Sequence, residues 1–268
     1  NTSYYACELF IHASAARMDR LAKRYLTAQI LAVLCFSSVP LTATFVKPET
    51  SGLPGFMFEV LCGFDKPFNQ APSLHIALLI ISWNQILRVM GFGLRVIWQV
   101  WCLLIGLSVL TTYQHHAVDI PAGALLGLFA LWLFPRNMPS PLADCQLTSD
   151  RKSWRIGLYY VAGAALFLAL AVHGLSITGY AIFWLWPATA FAIVALGYLG
   201  ASPNIFEKDT DGSANFASRL LLSPYRFFSR LTILFWTRKL PSHVELCAYV
   251  FLWRFPNASE VNAFITVI

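Results

Sequence analysis

This chain is short of charge. Asp, Glu, Lys and Arg make up 12% of its 268 residues, about half the share usual in a soluble domain, which excludes an ordinary water-soluble globule. It also lacks paired cysteines. Cys7, Cys35, Cys62, Cys102, Cys145 and Cys247 are scattered, most of them within or beside apolar runs, and no two have metal-ligand spacing. They read as small buried apolar residues. No internal repeat, low-complexity tract or cleavable signal peptide is visible. The first residue is Asn1, and the opening residues read as the tail of an apolar segment, so the chain is expected to be a fragment.

What the chain has instead is hydrocarbon. It is 57% hydrophobic, with a mean hydropathy of +0.61, and its apolar residues gather in runs of spanning length. The expected fold is all-α, a polytopic transmembrane bundle of about six spans followed by a short, incomplete cytoplasmic segment. Residues 4–16 read as the end of an incomplete span, 15–24 as a basic loop, and 25–46 as a span whose outer end Pro40 loosens. Residues 47–72 read as a polar connector. Further spans are expected over 73–91 (weakened by Asn84, Gln85 and Arg88), 96–112 and 118–135, the last with Ala122, Gly123, Ala124 and Gly127 to permit close helix approach. Residues 136–155 form a basic loop, and 156–172 with 179–199 a final apolar hairpin. Three domains are expected: a membrane domain over 1–135, the basic loop and extra hairpin over 136–200, and a cytoplasmic tail over 201–268.

Orientation follows from the basic residues. Of the nineteen Lys and Arg, all but Lys47 and Lys66 fall on one side when these spans alternate, and that side is cytoplasmic. The net charge of +6 has the same origin, with no nucleic-acid partner implied. Two polar clusters, 69–75 and 111–123, then share the opposite face with Lys47. From Ala201 the composition turns soluble: 204–215 reads as a loop, and 218–236, with Arg219, Arg226 and Arg230 among aromatics, as an amphipathic helix on the inner leaflet.

The two clusters carry the chemistry. His115 and Asp119 are four apart, so on a helix both face one way. A carboxylate accepting the far N–H of an imidazole fixes its tautomer and raises the basicity of the other nitrogen, as a histidine nucleophile or base requires. His116, three before Asp119, fits nearly as well and is a secondary candidate. Pro72-Ser73 reads as a helix start, where free amides and a hydroxyl make an anion site. His75 reaches the same anion, Asn69 belongs to the same cluster, and Lys47 adds a cation. The bland readings are interfacial histidines bonded for stability, a capping serine and a snorkelling lysine. Taken together, the residues point to phosphoryl transfer.

Pro72-Ser73-Leu74-His75 and His115-x3-Asp119 resemble the second and third motifs of the type-2 phosphatidic acid phosphatase superfamily, Pro-Ser-Gly-His and Ser-Arg-x5-His-x3-Asp. Lys47-Pro48 sits where the first motif, Lys-x6-Arg-Pro, ends. The wording Asn-x-x-Pro-Ser-Leu-His and Gln-His-His-x-x-Asp is similar to the inositolphosphotransferase-like branch. The likeness covers roughly residues 4–135. It implies His115 as the nucleophile that forms a phosphohistidine, Asp119 as its orienting partner and His75 as the acid that protonates the leaving alkoxide. Ser73 and Lys47 would hold the phosphate oxygens, and neither metal nor cofactor is implied. This sequence departs from the pattern in three places. Pro40 stands at the first-motif lysine, Lys47 replaces the arginine with its bidentate fork, and Val109 follows Ser108 where the third motif has arginine.

The segment 250–256 resembles the opening strand of a dual-specificity phosphatase domain, often fused behind such a membrane domain in bacteria, with Trp253 in place of the usual glycine. Residues 243–264 would be its first strand and turn. Cys145 and Arg151 also stand in the Cys-x5-Arg relation of tyrosine phosphatases. The residues between them contain no glycine to free amides for phosphate, and no histidine precedes the cysteine.

The expected protein is therefore a multi-pass enzyme of the bacterial inner membrane, its site facing the periplasm, acting on a lipid phosphate or diphosphate. Water resolves the phosphohistidine in a phosphatase, the favoured reading, and an alcohol does so in a transferase. Two alternatives stay open: a metal-dependent hydrolase using His75, His115, His116 and Asp119 as ligands, and a degenerate anchor for a cytoplasmic phosphatase domain.

Overall fold

The computed structural model describes residues 15–41, 50–64, 70–87, 90–208, 212–238, 243–247 and 250–253, and the chain divides into two compact units between Leu222 and Ser223. The first unit is helical: α1 (Ala15–Ser38), α2 (Gly52–Phe64), α3 (Leu74–Ile86), α4 (Phe92–Thr111), α5 (Asp119–Leu133), α6 (Arg151–Leu175), α7 (Leu185–Leu199) and the short α8 (Phe216–Leu221). A 3-10 turn over Gly179–Trp184 runs directly into α7. Among the described residues, three segments are long and apolar enough to cross a membrane, Phe92–Thr111, Arg151–Leu175 and Gly179–Leu199. The apolar helices α3 and α5 are shorter. Their 13 and 15 residues reach only about 20–23 Å, against a hydrocarbon core of about 30 Å.

Several boundaries differ from the sequence reading. The basic stretch expected as a loop forms the first turns of α1, because Arg, Lys and Leu are good helix formers. The helix stops at Ser38, just short of Pro40, whose ring disfavours helix in the residue before it. The stretch expected as a polar connector contains the apolar helix α2, with Leu53, Phe56 and Met57 exposed. The single amphipathic helix expected over 218–236 breaks at Leu222. Ala217, Ser218 and Leu221 are buried in the first unit, while α9 (Ser223–Thr237) opens the second. That second unit also holds an antiparallel hairpin of β1 (His243–Cys247) and β2 (Val250–Trp253), pairing His243 with Trp253. The rest of the strand-and-turn expected over 243–264, most of the incomplete first span, Lys47, Lys66, Asn69 and Arg88 lie outside the described residues.

The bundle is organised by α5, which packs against α3, α1 and α8. α5 carries glycines where it meets α3. A Cβ on Gly123 would run into the Ser73 carbonyl, and one on Gly127 would sit 2.8 Å from the Ala77 carbonyl oxygen. Small residues thus bring the two backbones together. Ile76, Leu79 and Ile86 of α3 pack on Trp98, Cys102 and Val109 of α4, and Tyr25 of α1 bonds Ser82 of α3 through their hydroxyls at 2.7 Å.

At the other end of α5, Arg24 donates from Nε and Nη2 to the Phe134 carbonyl at 3.0 and 2.6 Å. Trp132 donates its indole N–H to the Ile205 carbonyl at 2.9 Å. Beside them lies Glu207, 1% exposed, with a left-handed φ of 46°. Burial pushes its pKa up from 4.5 to about 8, against opposing pulls from Arg24 and Asn215. Between those two values the folded state holds a proton that the unfolded chain has released. Stability therefore falls as pH rises through that window. Glu207→Gln, neutral throughout, is expected to flatten the dependence and to be the more stable form above the folded pKa, by on the order of a few kcal/mol. Thermal unfolding across the window checks this; parallel curves for the two proteins would contradict it.

Candidate active site

Three chain segments meet at the end of the bundle opposite Arg24. The first is the strip 70–73 leading into α3, with a cis peptide between Ala71 and Pro72 and Ser73 as N-cap. The second is the turn that closes α4. Tyr113 takes a left-handed φ of 54°, and the amides of Gln114 and His115 both bond back to the Val109 carbonyl at 3.2 and 3.3 Å. The third is the first turn of α5, beginning at Asp119. The Ser73 amide, 3.4 Å from the Asp119 carbonyl oxygen, ties the first to the third.

His115 is 4% exposed. Its Nδ1 lies 2.8 Å from the Gln70 carbonyl oxygen. A carbonyl can only accept, so Nδ1 carries a proton, and in the neutral ring the lone pair is then on Nε2. That Nε2 lies 3.5 Å from Nδ1 of His75, with the two rings edge to face at 67°. His75 is exposed, and His115 lies beneath it.

Asp119, 3% exposed, is placed differently from the expectation. Its Oδ2 accepts the His116 backbone N–H at 2.9 Å and stands 3.7 Å from His115 Nδ1, too far for a strong hydrogen bond. The orienting bond expected from Asp119 comes instead from the Gln70 carbonyl. The reason is local: residues 115–118 form a turn, not a helix, so the one-face relation of a helical i, i+4 pair does not apply. His116 is half-buried and meets Asp119 through its backbone. Ser73 is 0% exposed, makes no side-chain cap, and its hydroxyl has no hydrogen-bond partner among the described residues. The first-turn amides of α3 beside it are of the kind that a helix leaves without internal partners.

His75, Ser73, His115 and Asp119 are thus brought to one end of the bundle, while Lys47 and Asn69 lie outside the described residues. Gln70 was missed because its contribution is a backbone carbonyl, which no side-chain pattern reports. Among the described residues, no three His, Cys, Asp or Glu come together as a metal would need. Comparison of the chain with protein-family models, curated proteins and solved structures gives no match.

Because Gly123 faces the Ser73 carbonyl, Gly123→Val should force α3 off α5 and lower stability by about 1–3 kcal/mol. The midpoint of thermal unfolding reads this, and an unaltered midpoint would mean that the helices do not meet at this face.

Proposed function

We propose that the chain is an integral membrane phosphatase acting on a lipid phosphate or diphosphate through a phosphohistidine on His115, as its resemblance to the type-2 phosphatidic acid phosphatases implies. The observation that carries this reading is the His115 imidazole. Its Nδ1 is held by the Gln70 carbonyl at 2.8 Å, its Nε2 faces a second histidine, and the strip that supplies that carbonyl also holds the buried Ser73 hydroxyl, which has no partner among the described residues.

In the proposed reaction Nε2 of His115 attacks phosphorus. The bond to the leaving oxygen breaks with its electron pair on that oxygen, which takes a proton from His75. The phosphorylated ring is cationic, and the Asp119 carboxylate 3.7 Å from Nδ1 offsets that charge. Water then gives a proton to His75 and attacks phosphorus, the P–N bond breaks, and the Nε2 lone pair returns. At 3.5 Å the two imidazoles leave no room for a phosphoryl group between them, so the exposed His75 ring swings aside on binding. Ser73 and the first-turn amides of α3 hold the non-bridging oxygens. An alcohol in place of water makes the same site a phosphotransferase. With the spans alternating as the sequence reading has them, the positive-inside count supports a site on the non-cytoplasmic face, which in a bacterial inner membrane is the periplasm.

One observation favours the degenerate-anchor reading. Val109, where the third motif has arginine, is 2% exposed within the α3–α4 core, so that position offers an anion no charge. Phosphate release from lipid phosphates separates the two. The native chain is expected to turn over and to yield an acid-labile phosphoenzyme. His115→Ala should lose activity by at least about a thousandfold and lose the label. Ser73→Ala should lose about a hundredfold with stability unchanged, since its hydroxyl has no hydrogen-bond partner among the described residues. Equal turnover by native and His115→Ala protein would contradict the mechanism, and no turnover by either would leave the anchor.

A further inference from the structure

A cavity of about 520 Å³ lies between α1, α5, α6 and the segment leading into α7, within the range of about 300–1,000 Å³ usual for small-molecule sites. Its upper rim is Leu41, Ala71, Pro72 and Ile182, and its floor is Leu31, Phe129 and Leu168. The few polar groups on its wall are turned inward to their own helices: Ser38 donates to the Leu34 carbonyl and Thr189 to the Leu185 carbonyl, both at 2.7 Å. What remains is a hydrocarbon surface. From Ala122 to Phe129 along α5, and from Leu168 to Leu175 along α6, the cavity descends about 10 Å, well inside one leaflet of a core about 30 Å thick.

Its rim is also the wall of the candidate site. Ala71 and Pro72 line the cavity; on one side of them the Gln70 carbonyl holds His115, and on the other stands the buried Ser73 hydroxyl. A ligand with its phosphate at Ser73 and His115 therefore has an apolar cavity starting at the adjacent residue, Pro72. We infer that this cavity holds the hydrocarbon chain of a single lipid phosphate. The hairpin of α6 and α7, which lies beyond the stretch resembling the phosphatase superfamily, supplies the wall that selects the chain's length. The inference rests on the lipid-phosphate reading for the position of the headgroup. Because the chain passes from one hydrocarbon setting to another, selection comes from shape and close packing rather than from removal from water.

The test uses non-hydrolysable alkyl phosphonates on the full chain in phosphatidylcholine nanodiscs, so that binding is read without turnover. Hexadecylphosphonate is expected to protect Cys35, an exposed cysteine on the cavity wall, from maleimide alkylation, as read by peptide mass spectrometry. Butylphosphonate is not. Leu125→Trp, which fills the middle of the cavity, should weaken hexadecylphosphonate binding about tenfold or more and leave butylphosphonate unchanged. Phe129→Ala, which deepens the floor, should shift the preference to longer chains. Chain-dependent protection without phosphate release from any lipid phosphate would sink the phosphatase reading and keep the cavity. Phosphate release with no chain-dependent protection, and with both variants keeping the native length profile, would overturn the cavity, leaving ordinary bilayer lipid as its occupant.

Discussion

The contact on which the structure depends is the backbone-to-backbone approach of α3 and α5. Gly123 and Gly127 remove the side chains that would hold the helices apart, so the carbonyls of Ser73 and Ala77 lie where Cβ atoms would otherwise stand. Such close packing of two apolar helices is a main source of cohesion between them. It also fixes register. Ser73 and Asp119, each at the start of its helix, are brought level, and the Ser73 amide reaches the Asp119 carbonyl. His115, in the turn that precedes Asp119, is then carried within reach of the Gln70 carbonyl.

Function and packing therefore share atoms here. The strip 70–73 holds the imidazole with one carbonyl, packs against glycine with another, and lines an apolar cavity with its alanine and proline. The far end of the bundle works differently. There Arg24 is satisfied by the Phe134 carbonyl just past the end of α5, while burial pushes the pKa of the Glu207 carboxyl up to about 8. Arg24 and His115, at opposite ends of α5, are both held by backbone carbonyls.

Much of the arrangement was legible in the chain. Runs of apolar residues marked α4, α6 and the segment ending in α7, because spanning length and low charge are direct properties of sequence. The small residues of α5 pointed to close approach, and Gly123 and Gly127 make it. The two polar clusters that hold His75 and His115 stood out at the edges of apolar runs, and the structure brings those two side chains together. Less legible were features set by tertiary context. Whether 15–24 is loop or helix depends on neighbours that bury Arg24. The partner of His115 was assigned to Asp119 because a carboxylate is visible in a sequence and a backbone carbonyl is not. The break at Leu222 depends on Leu221 being needed in the first unit's core, which periodicity alone does not show.

The central claim is that His115 Nε2 and the Ser73 hydroxyl address one anion at the end of the α3–α5 pair. A structure determined with orthovanadate, which takes the five-coordinate shape of a phosphoryl group in transfer, tests it most directly. Vanadium bonded to Nε2 of His115, with an equatorial oxygen on Ser73 and the His75 ring moved to the apical oxygen, is the predicted result. Vanadate bound elsewhere, or none bound with the two imidazoles still in contact, would contradict it.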